Sequence, residues 1–149
     1  MTFDETVKCF QIGSAVVAVV SLMIGVWNYY RQMNAQVFMK YAERYEKIME
    51  EVAKNSLQMR FGLDEHLPEQ SELLTLAVLK YLNLCSEEFY LQKNRYISRK
   101  VWNIWKEELE RMLKTPLVRR EWKLLKNEFQ SYRDFVDYVE QVQAKGSED

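Results

Sequence analysis

The sequence predicts an all-α protein: an N-terminal transmembrane helix followed by a cytosolic helical bundle. Three observations carry that prediction. Four glycines and two prolines among 149 residues leave too few turn formers for an all-β or a many-stranded α/β fold. The stretch Cys9 to Tyr30, CFQIGSAVVAVVSLMIGVWNYY, has no charged side chain. Beyond it, apolar residues recur every three to four positions, the spacing of one helix face.

Residues 9–30 are expected to cross a membrane. Helical residues rise about 1.5 Å each, so the stretch spans ~33 Å against a hydrocarbon core of ~30 Å. Trp27, Tyr29 and Tyr30 lie at its far end, where amphipathic rings favour the headgroup region. A cleaved signal peptide fits less well, because the start MTFDETVK lacks a basic region and bulky aromatics follow the apolar run. Lys8 is outweighed by Asp4 and Glu5 before the span, whereas Arg31, Lys40, Arg44 and Lys47 follow it. The positive-inside rule thus leaves residues 1–8 extracytoplasmic and the rest in the cytoplasm, a single-pass inner-membrane topology. Ser14, Ala18, Ser21 and Gly25 recur at spacings of 4, 3 and 4. Small residues on one face let helices approach, so these four are the expected oligomerisation seam of a homo-oligomer, continuing through Asn28 and Gln32 to Ala35, Met39 and Ala42.

Residues 31–61 read as a juxtamembrane helix, with Phe38, Tyr41, Tyr45, Ile48 and Val52 at helical spacing and an end near Phe61-Gly62. A cytosolic helical domain over 62–143 follows. Residues 62–71 form a loop. Ser71 opens a leucine-rich helix that reads as the central one. Ser98 caps the next helix, and Thr115-Pro116 ends it and starts another, with Pro at the first position, where its missing N–H costs nothing. From Val118 to Val139 apolar residues alternate at 4 and 3, a coiled-coil seam or a bundle face that Ser131 could divide. Residues 144–149 read as a disordered tail.

No Gly-rich phosphate loop occurs. Cys9, Cys85 and His66 are the only cysteines and histidine, too few for a zinc site. Cys85 reads as a small core residue and His66 as a loop residue. Adjacent carboxylates such as Glu87-Glu88 and Glu107-Glu108 diverge by about 100° around a helix. No Glu-x-x-His pair exists. Catalysis, a cofactor and a metal are therefore not expected.

Charge is more informative. Between Lys93 and Lys126 eleven cations face four carboxylates, a net of +7 in a chain whose total is −1. Arg95, Arg99, Lys100, Lys106, Arg119, Arg120 and Lys123 are the expected ligand-binding set, an anion site near two helix starts. The balanced total gives no general pull toward DNA. Trp102 and Trp105 in the same segment fit a helix core better than a base-stacking platform, and part of the charge could instead face anionic lipid.

Several patterns resemble a group of small bacterial membrane proteins with one N-terminal span and an all-helical cytosolic domain. They are Tyr41-x-Glu43-Arg44-Tyr45, Tyr81-Leu82-Asn83-Leu84 with Phe89, Ile97-Ser98 leading to Trp102, and Pro116 followed by Trp122 and Phe129. Within that shape, the chain is similar in architecture and charge to CRISPR-associated type III membrane effectors. The resemblance implies an antiviral-defence role: the cytosolic domain binds a cyclic oligonucleotide second messenger (cyclic tetra-adenylate), and oligomerised spans act on the inner membrane. Replacing Arg119 and Arg120 by Ala is then expected to abolish nucleotide binding and leave helicity intact. The residues equally admit a non-catalytic anchored scaffold that docks a partner on Trp122, Leu125, Phe129 and Tyr132 and turns a basic surface toward lipid.

Overall fold

The computed structural model describes residues 3–55 and 67–145, and they are helical with short connections and no strand. The elements are α1 (Phe3–Asn55), α2 (Glu72–Lys93), α3 (Arg99–Leu113), α4 (Pro116–Leu125), a 3₁₀ turn (Lys126–Phe129) and α5 (Arg133–Lys145). The chain divides into two compact units, Met1–Val37 and Phe38–Asp149.

The first unit is helix throughout its described length, and the side chains of residues 10–32 are all exposed. An 18-residue window there has a mean hydropathy of 2.0 with none of it buried. It is long and apolar enough to cross a membrane, as the composition leads one to expect. Polar side chains serve the helix itself: the Ser14 hydroxyl donates to the Gln11 carbonyl at 2.9 Å, and the Asn34 amide to the Tyr30 carbonyl at 2.8 Å.

The second unit is a small bundle built from amphipathic stripes. Residues 38–52 of α1 supply Tyr45, Ile48, Met49 and Val52 to a core completed by α2, α3, α4 and α5. The unit therefore begins at Phe38, inside the juxtamembrane segment that the sequence sets apart from the domain over 62–143 and reads as continuous with the span, because Met49 and Val52 are core residues. The expected helix end near Phe61-Gly62 lies outside the described residues, as does His66.

Local chemistry explains the other boundaries. The Ser71 hydroxyl accepts from the Leu74 N–H at 3.2 Å and starts α2. Ser98 does the same for Val101 at 3.3 Å, and Thr115 caps α4 with Pro116 in its first turn, all three as expected. The end of α2 is less ordinary. Tyr96 N–H bonds the Leu91 carbonyl at 2.8 Å and Arg95 N–H the Gln92 carbonyl at 3.0 Å. This is a Schellman closure whose left-handed position is held by Arg95 (φ 61°) where glycine is usual.

The seven-residue pattern from Val118 to Val139 belongs to the bundle core, the second of its two expected readings, and is divided as Ser131 allowed, because the chain turns at 126–132 between α4 and α5. Two expectations are corrected. Trp122, Leu125 and Phe129 point into the unit's own core, while Tyr132 is exposed, so those four form no docking face. The tail does not begin at 144 either: α5 runs through Lys145, and residues 146–149 lie outside the described residues. Trp102 and Trp105 are buried, the core role expected of them. Trp102, Phe89, Phe135 and Tyr138 form one ring cluster, joined through Phe135 to Phe129 and Trp122. Such tilted and edge-on pairs suit the ring quadrupole.

Candidate functional site

The seven cations fall into two groups. Arg95, Arg99, Lys100 and Lys123 are exposed and make no ion pair among the described residues. Arg95, Arg99 and Lys100 gather at the α2–α3 corner. The other three are engaged within the unit. Lys106 pairs with Glu110 one turn on, at 3.6 Å. Arg119 donates to the Gln143 carbonyl at 3.0 Å, tying α4 to α5. Arg120 donates through Nε to Glu121 at 2.9 Å and through Nη1 to the Pro68 carbonyl at 2.7 Å. Glu121 is 0% exposed and also accepts from the Thr75 hydroxyl at 2.8 Å. Arg120 and Glu121 therefore pin the 67–70 segment and α2 to α4. Neighbouring cations are spoken for as well: Lys93 pairs with Asp134, Lys126 with Glu140 and Arg111 with Glu108. Three of these pairs use glutamates already counted in the net of +7, so only Asp134 and Glu140 offset it further and a net of +5 remains.

The four small residues of the expected seam, Ser14, Ala18, Ser21 and Gly25, lie exposed along the first unit. Nothing stands within 4 Å of a side chain built at Gly25.

The cavity the helices make is elsewhere. A cleft of about 670 Å³ runs between the 38–49 stretch of α1 and α2 and α3, lined by Phe38, Tyr41, Tyr45, Tyr81 and Trp105 with Met49, Leu84 and Met112. Phe38 stacks on Trp105 with ring centroids 6.1 Å apart and planes 8° from parallel, and Tyr41 lies 5.2 Å from the same indole. Tyr45 meets Tyr81 edge-on at 6.3 Å. The phenol hydroxyls are directed: Tyr41 donates to Glu87 at 3.0 Å and Tyr45 to Glu108 at 2.9 Å. The Arg44 guanidinium bonds both Glu87 oxygens, at 2.5 and 3.0 Å, and lies over the Tyr41 ring. That bond holds Glu87 below the usual carboxylate range, while burial and the Glu87 hydrogen bond push the Tyr41 phenol up to about 12.

Glu88 is the group with no such arrangement. It lines the cleft, is only 7% exposed, and has no hydrogen bond or ion pair among the described residues. Burial raises its pKa to about 8 against the pull of Arg44, and the neighbouring Glu87 adds to the rise. One turn earlier Cys85 is fully buried, and burial pushes its thiol well above its ordinary range, which leaves it an inert core residue. Among the described residues no group of three His, Cys, Asp or Glu could hold a metal ion.

Sequence reasoning passed over both buried glutamates. Adjacent carboxylates were expected to diverge around a solvated helix, and Glu87 does face outward to Arg44. Glu88, however, follows Tyr81 and Cys85 at spacings of 4 and 3, in register with the buried stripe of α2. Glu121 likewise sits between Val118 and Trp122 on the buried stripe of α4. A charge at a stripe position was the available signal.

No family model, curated protein or solved structure matches this chain. Its reading rests on its own residues.

Two outcomes are expected. Arg120→Ala lowers the stability of the domain by ~3–5 kcal/mol, since Glu121 stays buried without its cation. Adding Glu121→Gln recovers part of that loss in denaturant unfolding followed by helical circular dichroism. The second outcome concerns pH. Folding raises Glu88 from its ordinary 4.5 to about 8, so the folded chain holds a proton that the unfolded chain gives up. The contribution is complete below the lower value and is lost as pH rises toward the upper one. Against Glu88→Gln, the unsubstituted chain should lose stability across that window by up to about 1.4 kcal/mol per pH unit; parallel curves would mean an ionised Glu88.

Proposed function

We propose that this protein is a membrane-anchored, non-catalytic binding protein: residues 9–30 anchor it, and the helical unit takes its ligand in the aromatic cleft. The observation that carries the reading lies in α1. The same helix that is apolar, uncharged and wholly exposed over residues 10–30 supplies Phe38, Tyr41, Tyr45 and Met49 as a wall of the cleft. Binding rather than catalysis fits the side chains. The thiol of Cys85 is sealed in the core, where it is no nucleophile.

A second reading, the nucleotide-sensing antiviral effector with oligomerised spans, has one observation in its favour. Arg95 holds a backbone conformation that costs a non-glycine residue ~1–2 kcal/mol, and it stands with Arg99 and Lys100 in an exposed cationic corner. Strain kept at an exposed charge points to use of that charge.

Two measurements test these readings. The chain should stay with membranes through an alkaline carbonate wash and be released by detergent. Val19→Arg, which puts a charge at mid-span at a cost of roughly 3 kcal/mol, should move it to the soluble fraction. Recovery of the unsubstituted chain without detergent would overturn the anchor. For the cationic corner, cyclic tetra-adenylate is titrated into the detergent-solubilised chain. Binding that weakens about tenfold or more in Arg99→Ala, as loss of a charge-assisted hydrogen bond requires, favours the sensor, and absence of binding removes it.

A further inference from the structure

The lining of the cleft narrows its ligand to one chemical class. Five aromatic side chains face the space, and ring faces attract cations, best of all when the cation is weakly hydrated. The acids outnumber the bases: Glu88, Glu107 and Glu108 line the cleft with Arg111. Arg111 is held by Glu108 at 2.5 Å, and Arg44, just outside, by Glu87. These two guanidiniums are thus already matched to carboxylates other than Glu88, whose side chain is more than nine-tenths buried, faces the cleft and has no partner among the described residues. Free phosphates and carboxylates would meet a like charge here. A neutral apolar ligand would leave the carboxyl stranded, and a buried polar group left unpaired is costly.

We propose that the cleft is a binding site for an organic ammonium ion, an apolar body lying against Trp105 and Phe38 with its cationic nitrogen directed at the Glu88 carboxylate. This inference rests on the reading of the cleft as the ligand site and names its ligand class. In the empty cleft Glu88 keeps its proton at neutral pH; a cation beside it favours the ionised form, so binding releases that proton. The groups that share the field of Glu88 are Arg44 and Tyr41 from α1 and Tyr81, Cys85 and Glu87 from α2; Lys40 of α1 acts on Glu87, and Tyr45 of α1 with Glu107, Glu108 and Arg111 of α3 line the same cleft. The two guanidiniums remain paired throughout, so Glu88 is the group that changes state. Affinity for a permanent cation accordingly rises with pH as Glu88 is freed to ionise, through about 8.

The test uses the full chain in a nonionic detergent, titrated calorimetrically against an empty-micelle blank with three probes of similar size. Benzyltrimethylammonium carries a fixed positive charge, benzyl alcohol none, and benzenesulfonate a negative one. The expected result is binding of the ammonium probe alone, tightening by roughly tenfold or more between pH 6.5 and 9. Glu88→Gln should weaken binding at pH 9 by at least tenfold and remove its pH dependence. That variant mimics the protonated carboxyl of the empty cleft, so the fold is retained, and its unfolding curve at neutral pH checks this. The pH dependence of the unsubstituted chain needs no variant. If benzyl alcohol or benzenesulfonate binds as well as the ammonium, or if Glu88→Gln binds it unchanged, the ammonium assignment falls while the cleft stands as a ligand site. If none of the three binds at any pH, both fall.

Discussion

Met49 and Val52 enter the core with almost no exposure, and the shape of the helical unit follows from what lies one, two and three turns before them. Their side chains seal that end of α1 into the core. Tyr45, Tyr41 and Phe38 are only partly covered, and their rings lean on Tyr81 and Trp105. A single stripe therefore passes from close packing to ring stacking along one helix, and the cleft is the space the rings leave. Close-packed interiors seldom retain such space; here three elements keep it open, because the ring hydroxyls are fastened to Glu87 and Glu108 rather than free to collapse inward.

The charges of the unit serve this geometry before anything else. A net of +7 over one segment looks like a surface for anions when written along a line. In three dimensions several of its cations pair with carboxylates of α3, α4 and α5, and Asp134 and Glu140 offset part of the excess. Most of these pairs are exposed and contribute little to stability. Arg120 with Glu121 is different: Glu121 has no access to water, and its two partners fix the 67–70 segment and α2 against α4. Of the seven expected ligand-binding cations, the three at the α2–α3 corner and Lys123 stay exposed without an ion pair among the described residues, a smaller target than the sequence segment.

The sequence was legible wherever the governing chemistry is local. Ser71, Ser98 and Thr115-Pro116 mark helix starts because a hydroxyl reaches an N–H three residues on whatever surrounds it. The apolar run in α1 is plain because uncharged length alone defines it. The burial of Trp102 and Trp105 followed from their spacing. Tertiary facts were harder. The seven-residue rhythm from Val118 to Val139 survives the turn at Lys126–Phe129 only as an accident of two separate stripes, so periodicity could not show that the chain changes direction. The cleft was invisible because its walls come from residues 38–49, 81–88 and 104–112, brought together only by folding. The partners of Arg119 and Arg120 were invisible for the same reason, Gln143 and Pro68 lying far along the chain.

Cys85 has a consequence of its own. Its sulfur is enclosed on the central helix, beside Tyr81 and one turn from Glu88, and its thiol resists ionisation there. An alkylating reagent can reach that sulfur only when the packing around α2 parts, because the thiolate is the nucleophile and forms only in water. The rate of its modification is a clock for internal opening, and a guest that locks the helices together would slow the clock without touching the sulfur.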